Sequence, residues 1–194
     1  MANTRPVVVV KGGGDLGTGV AYRLFMCGFR VAVLEQPAPT AIRRCVAFAS
    51  AVDEGRIVVE GVEARRVESV AEMRRALRHR RWVPVLVVEG RAARRPPLRR
   101  QRRTNVRTTR PDVLVDATLV KQRRLITTSR RDARLTIALG PGFVAGRDVD
   151  AVIETSRGHD LGRVIRHGRA SPDTGTPGDI AGRGSERVLR ATAT

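Results

Sequence analysis

The sequence predicts an α/β fold built on a parallel sheet, and three observations carry that expectation. Four successive valines, Val7 to Val10, stop abruptly at Lys11-Gly12, as a strand buried on both faces does. The following stretch changes period, with Val20, Leu24 and Cys27 falling on one helical face and Gly28 able to end the helix. A second strand, Arg30 to Leu34, then closes on Glu35. Strand, glycine turn, helix, strand is the opening half of a nucleotide-binding α/β fold. Residues 1–144 are therefore expected to form a Rossmann-like domain with a parallel sheet, and residues 145–194 a smaller β-rich C-terminal lobe.

The remaining elements follow in chain order. Ile57 to Glu60 reads as a short strand, and Ser69-Val70-Ala71-Glu72 has capping-box spacing before a helix through Met73 and Leu77. Val83 to Val88 is a strand interrupted near its start by Pro84. Val113 to Val115 ends at Asp116, and Leu135 to Leu139 ends at Gly140-Pro141-Gly142, both at the carboxyl ends where open α/β sheets bind ligands. Beyond Ala145 glycines recur every few residues, Val152 and Glu154 alternate, and Arg163 to Ile165 follows a glycine-containing turn, the texture of tight hairpins.

Composition narrows the function classes. Aromatic residues make up 3% of the chain, which argues against binding by rows of stacked rings. A formal charge of +18 invites a nucleic-acid partner, but only Lys11 and Lys121 among the 37 basic residues are lysines, and arginine is scattered throughout. Selection for phosphate contacts alone has no reason to exclude lysine, so the charge reads as compositional bias and nucleic acid is not the favoured partner. Arg91 to Arg110 is the densest basic stretch, with nine arginines and no acidic residue, and is expected to be a solvated loop. No apolar run approaches the roughly 18 residues a membrane span needs, and the first residues lack a secretory pattern, so a cytoplasmic protein without membrane attachment is expected. Cys27 and Cys45 have neither metal-ligand nor disulfide-scaffold spacing and are expected to be reduced and packed, Cys45 being the more reactive beside Arg43 and Arg44. The three histidines, His79, His159 and His167, lack zinc-type partners, so no metal site is expected.

Chemistry concentrates in the glycine loop. Gly12, Gly14 and Gly17 stand at G-x-G-x-x-G spacing between strand and helix. The first allows a tight turn, the second lets backbone reach a phosphate, and the third lets helix lie against strand. Free amides over Gly12, Gly13, Gly14, Asp15 and Gly17 would then hold an anion, aided by the helix dipole. Glu35 is placed to accept a ribose hydroxyl. Asp15 is unusual in such a loop, because its carboxylate repels phosphate unless it turns away as a cap or a metal ion accompanies the ligand. Gly140 and Gly142 form a second turn that a shared sheet would bring near the first. Arg157 and His159 could serve as anion clamp and general acid-base within Glu154 to Asp160, although polar residues around a hairpin turn are usually solvated.

Five segments resemble a known family: Lys11 to Leu24, Ala41 to Phe48, Pro111 to Lys121, Leu139 to Ile165, and Asp173 to Gly178. They are similar to the accessory proteins of selenium-dependent molybdenum hydroxylases, a group related to the xanthine dehydrogenase accessory proteins. The resemblance implies a Rossmann-like domain and a role in making or inserting the molybdenum cofactor, with a molybdenum hydroxylase apo-enzyme as partner. It implies no defined reaction. The chain departs from the family pattern after Lys121, where Gln122 to Thr127 stands in place of an asparagine and a glycine-threonine pair. Family members also run on past the position of Thr194, so part of the C-terminal lobe is expected to be missing here.

The first expectation is thus a maturation factor that rests a nucleotide of the NAD or ATP class, or the molybdenum pterin cofactor, on Gly12 to Gly17, with Gly140 to Gly142 and Arg157 to His159 closing the site. The alternatives are an NAD-dependent oxidoreductase using Glu35, which lacks an evident catalytic pair, and a basic nucleic-acid-binding protein using Arg91 to Arg110.

Overall fold

The computed structural model describes residues 5–88, 106–174 and 182–183. Strand β1 (Val7–Lys11) leads into helix α1 (Asp15–Met26) and strand β2 (Arg30–Glu35). Two 3-10 turns, Arg44–Val46 and Phe48–Ser50, precede the short helix α2 (Ala51–Glu54), and β3 (Arg56–Val59) pairs with β4 (Val62–Val67) as a hairpin. Helix α3 (Val70–His79), β5 (Val83–Val87), α4 (Val106–Thr109), β6 (Val113–Asp116), β7 (Leu135–Leu139), β8 (Ala151–Ile153) and β9 (Val164–Ile165) complete the order.

The nine strands of the described residues join one sheet, in the order β3-β4-β5-β2-β1-β6-β7-β8-β9. It is antiparallel only at its two outermost pairs, β3–β4 and β8–β9, and parallel between them. The fold is α/β, as the alternating pattern predicts. Within the segment expected to be a β-rich lobe, two short strands form and extend the main sheet: β8 lies parallel beside β7, and β9 closes the edge. Pro84 sits inside β5, which pairs on both sides.

Alternation along the central strands splits the core into two faces. Val8 and Val10 of β1, with Val31 and Val33 of β2, pack against Ala21 of α1 and against Phe48, Ala51 and Val52. Val9, Ala32, Leu34 and Leu114 face the other way, against Met73 and Leu77 of α3. A valine, leucine or phenylalanine fully buried this way contributes roughly 1.5–3 kcal/mol of transfer free energy. A third cluster, centred on Phe143 with Ala138, Val149 and Val152, covers β7 and β8.

Two local expectations need revision. The fully buried face of α1 is Gly17, Thr18 and Ala21, while Val20 and Leu24 are only partly buried. Small residues there let the helix approach the sheet closely. Cys27 and Cys45 are free thiols and both are exposed rather than packed, Cys27 because α1 ends at Met26 and leaves it on the cap. By contrast, the α3 cap matches its sequence pattern: Ser69 accepts the Glu72 amide at 3.1 Å. Most of the basic stretch at 91–110 lies outside the described residues, and its last part forms α4. No described helix is long and apolar enough to cross a membrane.

Candidate functional site

The strand order reverses between β1 and β6: from β1 the next strand, β2, lies to one side, and from β6 the next, β7, lies to the other. The loops leaving two such strands must part, and a crevice opens between them at the carboxyl ends. A cleft of about 500 Å³ lies there, within the range of small-ligand sites. Gly12, Gly14, Asp15, Glu35, Ala117, Thr118 and Leu119 line its floor and sides, and Thr40 to Arg43 form the wall beyond β2.

Within the glycine loop the residues divide by role. Gly12 has φ +94°, a conformation other residues rarely adopt, and its amide donates to the Leu34 carbonyl at 2.8 Å. Gly13 is locked by the protein itself: its amide donates to Glu35 Oε2 at 2.7 Å, and its carbonyl accepts the Ala49 amide and the Thr18 hydroxyl. A Cβ at Gly17 would collide with the Gly12 carbonyl oxygen, so this glycine is needed for close packing of α1 on the loop. Gly14 has nothing within 4 Å of where a Cβ would stand, and it faces the cleft. The Leu16 amide is taken by Asp15 Oδ1, and Thr18 continues the helix by donating to the Gly14 carbonyl. Among the described residues, the amides of Gly14, Asp15 and Gly17 donate to no acceptor of the protein, but Gly17 is buried and does not line the cleft, so the loop offers it two amides, those of Gly14 and Asp15.

Both Glu35 oxygens serve the backbone, Oε2 at Gly13 and Oε1 at the Gln36 amide, 2.7 Å each. Asp15 does not turn away as a helix cap: it lines the cleft and pairs with the Arg43 guanidinium. Gly140 and Gly142 come near from the next loop but one. A Cβ at Gly140 would stand 3.3 Å from Leu119, and one at Gly142 would overlap the Val120 carbonyl oxygen, so this turn braces the loop after β6 without lining the cleft. Arg157 and His159 are exposed on the β8–β9 turn and are not among the lining residues.

Their neighbour Glu154 has a structural task. Only 4% exposed, it accepts the amides of Thr155 and Ser156 through Oε1 and of Ser171 through Oε2. Burial pushes its carboxyl up, but these donors outweigh burial and hold it below the ordinary range. A group depressed on folding stabilises the protein above its unfolded-state pKa, about 4.3, and that contribution is lost as pH falls through the lower folded value. Glu154→Gln is therefore expected to flatten the decline of stability below about pH 4. Urea midpoints measured across pH 2.5–7 check this, and parallel curves for the two proteins would refute it.

Sequence reasoning missed a second cluster, at the ends of β1 and β6. Lys11 Nζ donates to Asp116 Oδ2 at 2.9 Å, Thr127 Oγ1 at 2.6 Å and Thr128 Oγ1 at 3.0 Å. Asp116 is fully buried and also accepts from the Thr128 hydroxyl and from both the amide and hydroxyl of Thr118, a residue of the cleft. Three acceptors around one nitrogen suit a tetrahedral ammonium and not a planar guanidinium. The geometry thus favours lysine at this position in an arginine-dominated chain, and the rarity of lysine was the available signal. Among the described residues no group of three or more histidine, cysteine or acidic side chains is placed to hold a metal ion.

Fold and cleft together define an α/β protein with an open crevice at the carboxyl ends of a mostly parallel sheet. No protein-family model matches the chain. It is 46% identical over 187 residues to the uncharacterized protein YqeB of Escherichia coli (strain K12), an alignment that covers 96% of this chain and 32% of that protein. The chain thus spans about a third of the length of this relative.

Proposed function

We propose that the chain is an accessory factor in the maturation of a molybdenum hydroxylase, and that a phosphate-bearing ligand, a nucleotide or the molybdenum pterin cofactor, binds in the crevice between β1 and β6. The sheet is read as Rossmann-like, with β5-β2-β1 as one half and β6-β7-β8 as the other. The observation that carries the binding reading is Gly14: its amide is unpaired, its missing side chain leaves open space, and it faces a cleft at the strand-order reversal. Phosphate oxygens resting on the Gly14 and Asp15 amides would gain charge-assisted hydrogen bonds and the field of α1. The family assignment is supported by the sequence resemblance, which includes the whole glycine loop.

The other two readings have less support. An NAD-dependent oxidoreductase would require Glu35 to accept a ribose hydroxyl while already bonded to Gly13 and Gln36. A nucleic-acid arm would rest on a stretch of which residues 91–105 lie outside the described part.

NAD, ATP and molybdenum cofactor, each titrated against the melting temperature, test the proposal. A ligand at a hundredfold excess over its Kd adds about 2.7 kcal/mol, a rise of roughly 5 °C or more for a chain of this size. Gly14→Leu fills the open space and is expected to remove that rise while leaving the unliganded melting temperature within about 3 °C. An unchanged ligand response in Gly14→Leu would exclude the glycine loop.

A further inference from the structure

The cleft contains a conflict of charge. Its ionisable lining residues are Asp15, Glu35 and Arg43. Two carboxylates against one guanidinium leave the cavity formally negative, yet its free amides favour an anion. Glu35 is committed by both oxygens to the backbone. Asp15 is held through Oδ1 by the Leu16 amide and through Oδ2 by Arg43.

The Asp15–Arg43 pair is solvent-accessible, with side chains 32% and 69% exposed, and exposed ion pairs hold weakly. Arg43 stands at the end of the irregular segment between β2 and the first 3-10 turn, which carries Pro37, Pro39 and the 96% exposed Ile42. Among the described residues the guanidinium is the only cation lining the cleft, and its planar fork matches phosphate oxygens as well as it matches a carboxylate.

We propose that Asp15 is the resident counter-ion of an anion clamp: it holds Arg43 at the mouth of the cleft, and an incoming phosphate group takes Arg43 from it. The inference rests on the reading of the cleft as an anion site and adds the residue that decides affinity there. Asp15 competes with the ligand for one guanidinium. Binding therefore exchanges one ion pair for another, and the site discriminates against anions too weakly charged to displace a carboxylate. A diphosphate is the favoured class, because one phosphate can rest on the Gly14 and Asp15 amides while the other meets Arg43.

Calorimetric titration of the full chain with inorganic pyrophosphate, at constant ionic strength and with and without Mg²⁺, tests this. Asp15→Asn removes the competitor and is expected to tighten binding about tenfold, while Arg43→Gln weakens it about tenfold, each the equivalent of one charge-assisted hydrogen bond. Arg43→Lys keeps the charge but loses the fork, and should fall between wild type and Arg43→Gln. Circular dichroism confirms that each variant is folded. If wild type binds and Asp15→Asn binds equally or less tightly, the counter-ion role is overturned. Weakening confined to Mg²⁺-containing buffer would overturn it too, by making Asp15 a metal ligand. If wild type binds no pyrophosphate under any condition, the anion-site reading fails and this inference with it.

Discussion

Asp116→Ala is expected to lower stability by about 3–5 kcal/mol, the cost of leaving a partly buried cation without its counter-charge. Four hydrogen bonds converge on this carboxylate from Lys11, Thr118 and Thr128, and it is fully shielded from water. Removing it strands the Lys11 ammonium, whose side chain is 18% exposed, with two threonine hydroxyls as its remaining acceptors. At about 2–4 °C per kcal/mol for a chain of this size, the melting temperature should drop by about 6–20 °C. Replacing both partners with apolar groups, as Lys11→Met with Asp116→Leu, is expected to lose less than the single change, because no charge is left uncompensated. Lys11→Arg supplies the converse check: it conserves charge, but the fork cannot address three acceptors around one point, and about 1–3 kcal/mol is lost. Thermal melts of the four proteins decide the matter, and an Asp116→Ala melt within 2 °C of wild type would refute the network's role.

The same cluster shows what sequence could and could not supply. Val7 to Lys11, the glycine turn, α1 and β2 were legible because hydrophobic periodicity switches from strand to helix and back within thirty residues. The cap of α3 was legible because its partners are three residues apart. Strand β4 was not, since Glu63, Arg65 and Arg66 interrupt its apolar positions, and only its pairing with β3 and β5 makes it a strand. The glycine spacing located the crevice but could not say which amides stay free. That depends on Glu35 reaching back to Gly13 and on Ala49 donating to its carbonyl. Lys11 and Asp116 are 105 residues apart, and no local pattern couples them. The exposure of Cys27 escaped the sequence for a related reason: whether a residue at the end of an amphipathic stripe is covered depends on where the helix stops.

One substitution made at two positions of the loop separates the glycine that builds the site from the glycine that would serve it. Gly17→Ala is expected to cost about 2–4 kcal/mol or to displace α1, because the new methyl group meets the Gly12 carbonyl oxygen, which is backbone and cannot rotate away. Gly12 in turn abuts Ala117 and its own φ is positive, so the collision propagates into the wall of the cleft. Gly14→Ala meets open space with φ −64° and ψ −177°, a conformation alanine adopts without strain. The entropy removed from the unfolded chain roughly offsets the poorer helix cap, leaving stability within about 0.5 kcal/mol of wild type. Denaturant melts of the two variants therefore should differ by at least about 2 kcal/mol. Pyrophosphate affinity is expected to respond in Gly14→Ala even though its fold is unperturbed, since the methyl group enters the space a phosphate would need. Equal stability of the two variants would mean that the approach of α1 to the loop is looser than the contact at Gly17 requires. Unchanged pyrophosphate binding in a stable Gly14→Ala would mean that the open space above Gly14 is not where the anion sits.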